Sequence, residues 1–173
     1  KKILDLGAKG IIVPMINTAL EAKNAISYAT YPPKGQRGYA LARAQGFGYN
    51  LNNYLKVSKN IKIVVQIETI KAINNLEEIL KVKGIHSTLI GPRDLSGSIG
   101  KAGDYKNKKF IKALQKYEKL SKQNNVSMGM HVAFPKTETL NKFIKKGYKF
   151  VAIGTDMTFL GDTIREKLDK IKK

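Results

Sequence analysis

Ile61-Lys62-Ile63-Val64-Val65-Gln66-Ile67 is a short, nearly continuous apolar run, and Glu68-Thr69 closes it just before a segment of helical period, 70–81. A run of this length that does not alternate marks a strand covered on both faces, as in a parallel sheet. In the segment that follows, Ile70, Ile73, Leu76, Ile79 and Leu80 form one apolar stripe. The unit therefore reads as buried strand, loop with a carboxylate, amphipathic helix. It recurs along the chain. Strands are expected at 10–16, 61–67, 87–90, 126–130 and 150–153, with helices at 18–29, 70–81, 110–123, 137–146 and 158–171. Thr18-Ala19-Leu20-Glu21 has the spacing of a capping box, and the end of a further helix, 1–6, stops at Gly7. Five βα units fit either an open doubly wound sheet or part of a (β/α)8 barrel. A whole barrel takes about 250 residues and this chain has 173. It opens inside a helix and without methionine, which favours a barrel whose first part is missing. One domain, 1–173, is expected.

The rhythm breaks once, at Tyr31-Pro32-Pro33-Lys34-Gly35-Gln36-Arg37-Gly38 and the Gly- and aromatic-rich stretch to Tyr49. It lacks periodicity and is too long for a connector, so a functional loop is expected there. Composition narrows the class. There is no cysteine, so disulfides and thiolate chemistry are excluded and a reducing cytoplasm is the expected setting. No apolar run reaches the roughly 18 residues of a membrane span, and no signal peptide opens the sequence. The formal charge is +19, which alone points to nucleic acid. Only Arg37, Arg43, Arg93 and Arg165 are arginines, however, and the other 28 basic residues are scattered lysines. Base readers rely on arginine forks and single-strand platforms interleave aromatics. Neither pattern is present, so the charge reads as a solvated surface and no nucleic-acid partner is expected.

Two acids follow apolar runs: Glu68, and Asp94 in Leu89-Ile90-Gly91-Pro92-Arg93-Asp94-Leu95-Ser96. If their strands are neighbours in a parallel sheet, about 4.8 Å apart, both acids emerge at one end, where they could hold a hard divalent cation. Either acid alone reads equally well as a helix N-cap. Gln66, two residues before Glu68, faces the same side, and a buried amide needs a partner. No Ser-His-Asp nucleophile pattern and no Gly-x-x-x-x-Gly-Lys loop is present. A Schiff-base lysine is not favoured either, because Lys62 and Lys149 lie at strand beginnings, the structural end of a barrel.

Several stretches together resemble the HpcH/HpaI aldolases, the metal-dependent (class II) pyruvate aldolases of the phosphoenolpyruvate/pyruvate barrel superfamily. They are Leu4-Asp5-Leu6-Gly7, Ile12-Val13-Pro14-Met15, Tyr31 to Gly38, Val65-Gln66-Ile67-Glu68-Thr69, Ile90-Gly91-Pro92-Arg93-Asp94-Leu95-Ser96 and Phe150-Val151-Ala152-Ile153-Gly154-Thr155-Asp156. The resemblance implies a (β/α)8 barrel of which this chain covers about five C-terminal βα units. It implies reversible cleavage of a 2-keto-3-deoxy sugar acid, or a similar 4-hydroxy-2-oxo acid, to pyruvate and an aldehyde. Glu68 and Asp94 would bind Mg²⁺, Mn²⁺ or Co²⁺, and Gln66 would hydrogen-bond the pyruvate. The main-chain N–H groups of Arg93 and Asp94 would take the substrate carboxylate, although family members often carry a small residue where Arg93 stands. Asp5 matches a catalytic aspartate that raises the basicity of the family's histidine; read alone, it is a surface acid at a helix end.

The histidine base, its aspartate neighbour and an enolate-stabilising arginine come from strands one to three of such barrels. Neither His86 nor His131 matches that base, and His131 reads as packing or hydrogen-bonding at the end of its strand. Arg37 and Arg43 fit binding of the aldehyde partner, loop anchoring or a subunit contact, and Asp156 reads as an N-cap. Similar enzymes are hexamers, so a homo-oligomer is expected. Two further readings stand beside the aldolase: a related lyase acting on a thioester or dicarboxylic acid, and a truncated inactive remnant with an assembly role.

Overall fold

In the computed structural model, which describes residues 1–171, five strands lie parallel in one sheet in the order in which they occur in the sequence. They are β1 (Gly10–Val13), β2 (Lys62–Ile67), β3 (Ser87–Ile90), β4 (Gly129–Val132) and β5 (Phe150–Ile153). Sequential order without a reversal is how barrel strands follow one another, whereas a doubly wound sheet reverses at its switch point. The ladder pairs Val13 with Val65, Ile67 with Ile90, Ile90 with Met130 and His131 with Ala152.

The helices are α1 (Lys2–Asp5), α2 (Ala19–Ala29), α3 (Leu51–Ser58), α4 (Ile70–Asn74), α5 (Leu76–Leu80), α6 (Pro92–Gly97), α7 (Lys108–Gln123), α8 (Thr137–Lys145) and α9 (Asp156–Ile171). Val65, Ile67, Ile90 and Met130 point outward from the sheet into a core shared with Ala22, Ile73, Leu76, Ile79 and Tyr117 of the helices. The alternate residues, Gln66 among them, face the other side of the sheet. Tyr117 ties this layer together: its hydroxyl lies 2.7 Å from Thr88 Oγ1 and accepts from the Gly129 N–H at 3.0 Å. Burial pushes its phenol up to about 12.

Several expected boundaries move, and for three of them the structure displays the reason. The first strand ends at Val13 and not at 16, because Met15 adopts a left-handed conformation, φ 58°. The fourth begins at Gly129 and not at 126, because the Val126 N–H donates to Ser121 O and closes α7. The helix expected at 70–81 is two, broken at Asn75, whose side chain donates to Asn17 O at 2.8 Å. The capping box at Thr18 is present, with both of its hydrogen bonds made.

The loop after α2 folds back on that helix's own C-terminal end. Gln36 and Arg37 donate main-chain N–H groups to Ser27 O (2.7 Å) and Thr30 O (2.9 Å). Arg37 is buried, 1% exposed; its Nη2 donates to Asp5 Oδ1 at 2.8 Å and to the Tyr54 hydroxyl at 2.9 Å. The guanidinium lies over the rings of Tyr31 and Tyr54, 4.6 and 5.4 Å from their centroids. Of the roles expected for Arg37, the structure displays loop anchoring. A short 3₁₀ helix (Arg43–Gly48) follows, on which Arg43 is exposed.

Candidate active site

At the C-terminal end of β2, Glu68 is 4% exposed and both of its carboxylate oxygens are engaged. Oε1 accepts the Met15 N–H at 2.8 Å and Oε2 accepts Gln66 Nε2 at 2.7 Å. The left-handed turn at Met15 swings the chain off β1 so that its amide meets the end of β2. Asn17 holds that turn: its Nδ2 donates to Met15 O at 2.7 Å, and its Oδ1 accepts the Thr69 hydroxyl. Thr69, not Glu68, caps the following helix, accepting the Ala72 N–H at 3.0 Å. The carboxylate of Glu68 is thus left to face the site.

β3 delivers the opposite wall. Gly91 continues the ladder, its N–H reaching Ile67 O at 3.4 Å, and serves as N-cap of α6, with Pro92 at the first helical position. A Cβ on Gly91 would fall 2.7 Å from Glu68 Oε2 and 2.9 Å from Gln66 Nε2, so only glycine leaves this cradle open. Arg93 and Asp94 are exposed in the first turn of α6, where helix amides have no intrahelical partner. Burial foremost, and then the Asp94 charge, push the Glu68 carboxyl above its ordinary range against the opposing pull of the Met15 N–H. Glu68 follows β2 and Asp94 lies in the first turn of the helix after its parallel neighbour β3, so the two acids stand at the same end of the sheet.

Among the described residues no group of three or more His, Cys, Asp or Glu is placed to hold a metal. Two hard carboxylates beside an open glycine cradle suit a cation that keeps water or substrate oxygens in most of its shell, such as Mg²⁺ or Mn²⁺. The donor set fits the expected cation.

Asp5 does not join this group. It ends α1, ahead of the first residue of β1, and pairs with Arg37 and Lys1, while its neighbour Leu4 packs with Ala29 and with Ile63 near the start of β2. The helix that leads into a parallel strand ends at that strand's N-terminal edge, so Asp5 lies at the far end of the sheet from Glu68. The expected functional loop lies at that end too, because it docks on the C-terminus of α2. At the last helix the capping role expected of Asp156 goes to Thr155, whose hydroxyl accepts the Thr158 N–H at 3.2 Å. Two contributors were not read from the sequence. Methionine gives no sign of a left-handed turn, and Gly91 was read only as one letter of a motif.

The model of the family described as HpcH/HpaI aldolase/citrate lyase matches residues 1–162. The 2-keto-3-deoxy-L-rhamnonate aldolase of Escherichia coli is 31% identical over 174 residues, which cover 99% of this chain and 64% of that protein. The chain thus spans under two thirds of the length of this relative. Among solved structures, an HpcH/HpaI aldolase/citrate lyase family protein from Burkholderia cenocepacia superposes with a TM-score of 0.91 at 26% identity, covering 99% of this chain and 68% of that one. The protein CitE from Mycobacterium tuberculosis, solved with magnesium and acetoacetate, gives a TM-score of 0.54 at 8% identity, covering 85% and 52%. The last likeness is one of fold alone.

Proposed function

The chain belongs to the HpcH/HpaI aldolase/citrate lyase family, and from that premise we propose that it is the cation- and substrate-holding part of a (β/α)8 class II aldolase. The reaction is reversible cleavage of a 2-keto-3-deoxy sugar acid, or a similar 4-hydroxy-2-oxo acid, to pyruvate and an aldehyde. The observation that carries this reading is the Glu68 carboxylate, fixed by the Met15 and Gln66 N–H groups beneath an open Gly91 and within the field of Asp94.

Glu68 and Asp94 hold a divalent cation, Mg²⁺, Mn²⁺ or Co²⁺. When bound, that ion supplies a Lewis acid that polarises the substrate's keto group. Gln66, already hydrogen-bonded to Glu68, turns its amide to the pyruvate. The first-turn amides of Arg93 and Asp94 take the substrate carboxylate. Asp5, committed to Arg37 and Lys1, takes no proton in this site. The proton acceptor is assigned to βα units of the complete barrel beyond these five.

The chain acts as one domain, 1–173, in a cytoplasmic homo-oligomer of the hexameric kind. Among the described residues no helix is long and apolar enough to cross a membrane.

The test is pyruvate release from a 2-keto-3-deoxy aldonate by the purified protein. Turnover is expected with Mn²⁺, lost with EDTA and regained on adding Mn²⁺ back. If Mn²⁺ neither supports turnover nor raises the melting temperature, the reading fails. Gly91→Ala should separate the site from the fold. The φ of −93° is open to alanine, and the atoms nearest the new methyl are those of Glu68 and Gln66. Mn²⁺ affinity is expected to fall about 10- to 100-fold in a calorimetric titration, with little change in melting temperature.

A further inference from the structure

Glu68, Gly91 and His131 stand in one row across three neighbouring strands. Ile67 pairs with Ile90 and Ile90 with Met130, so the residues that follow each of them share a level. Alternation turns all three to the face opposite the helix-packed core that holds Ile67, Ile90 and Met130. Two strand spacings put the His131 and Glu68 backbones about 10 Å apart. Only a glycine stands between them, and a Cβ there would already touch the Glu68 carboxylate. The residue paired with His131 on β5 is Ala152, another small one. His131 is half-buried, and among the described residues no hydrogen bond to its imidazole is found, so of the packing or hydrogen-bonding expected from the sequence the second has no partner here. His86, in contrast, lines a hollow at strand beginnings with Gly10, Lys62 and Lys149.

We infer that His131 is a substrate-contact residue that selects hydroxylated 2-oxo acids: its imidazole, across the gap left by Gly91 from Glu68, hydrogen-bonds a hydroxyl on the aldehyde-derived part of the substrate. This rests on the reading that Glu68 and Asp94 hold the cation. A substrate anchored there, with its carboxylate on the first turn of α6, lies over Gly91 and turns one flank to β4. A neutral imidazole offers that flank one donor and one acceptor, a match for a hydroxyl and a poor one for an alkyl chain. A site built to hydrogen-bond a hydroxyl discriminates strongly against the analogue that lacks it.

The chain has two histidines, so their ring protons are separable by NMR and assignable with His131→Leu. Added Mn²⁺ is expected to broaden the His131 ring signals strongly and those of His86 far less. With Mg²⁺ present, a 2-keto-3-deoxy aldonate should bind wild type at least about tenfold more tightly than His131→Leu. Pyruvate should bind both alike, and His131→Gln, which keeps hydrogen-bonding groups, should recover part of the loss. Unchanged aldonate affinity in His131→Leu with intact Mn²⁺ binding overturns this inference alone. Failure of the wild type to bind Mn²⁺ overturns the cation reading and this inference with it.

Discussion

Glu68→Gln is expected to lower metal-dependent pyruvate release by about 10³-fold or more while leaving the metal-free protein as stable as the wild type, or more so. The two halves have one cause. Glu68 is almost wholly buried, and burial first and the neighbouring Asp94 charge second raise its pKa against the pull of the Met15 N–H. A carboxyl raised by folding keeps its proton in the native state at a pH where the unfolded chain has released it. Stability therefore falls as pH rises from the ordinary carboxylate range through the raised value, and stays lower above it. A neutral amide of the same shape removes that loss. It can still accept the Met15 N–H, and the Gln66 amide can turn end for end to keep its bond. What it cannot do is supply the anionic charge that fixes a divalent cation. Thermal melts across the acid-to-neutral range should therefore be flatter for the variant, and Mn²⁺ should no longer raise its melting temperature. A variant that loses activity and stability together would instead mark Glu68 as a structural acid.

That division between site and scaffold bears on what could be read from the residues alone. The five strands were legible because most are continuous apolar runs recurring between helical segments, and the stripe Ile73, Leu76, Ile79, Leu80 was legible because helix period leaves few alternatives. The Gln66–Glu68 pair was legible from alternation, two residues apart on one face. What stayed hidden depends on partners distant in sequence. Met15 turns left-handed under the grip of Asn17, itself held by Thr69 and Asn75, and no local propensity announces that. The 3₁₀ segment arises in a stretch without periodicity, where packing against α1 and α3 decides the conformation, and α3 itself was not read. The placement of Asp5 was missed for the same reason. A motif fixes neighbours along the chain, but only the partner, here Arg37, shows which end of the sheet the carboxylate serves. His131 became interpretable only once register set it level with Glu68.

Arg37→Ala is expected to cost about 3–5 kcal/mol of stability, the range for removing one partner of a buried ion pair. Against a typical total of about 5–15 kcal/mol, that brings the protein close to unfolding. The buried guanidinium lies over two tyrosine rings, and its loss leaves a hole there, a Tyr54 hydroxyl with only its bond to Leu4 O and a carboxylate short of one partner. Burial alone would raise the Asp5 carboxyl, but the hydrogen bonds from Lys1 and Arg37 outweigh it and hold its pKa below the usual range. Stability from such a group is present above the unfolded pKa and is lost as pH falls through the lowered native value. The gap between wild type and variant should therefore be widest near neutral pH and narrow on acidification. Arg37→Lys should fall between them, because an ammonium keeps a charge but neither the planar stack nor the fork. The loop at 31–50, unlatched from α1 and α3, should become the first site of protease cleavage. Glu68 lies at the other end of the sheet, so the fraction of Arg37→Ala that remains folded should bind Mn²⁺ as the wild type does. If instead the variant kept its stability and lost pyruvate release, Asp5 and its arginine would return to the chemistry, and their place at the strand beginnings would need a second copy of the chain to explain it.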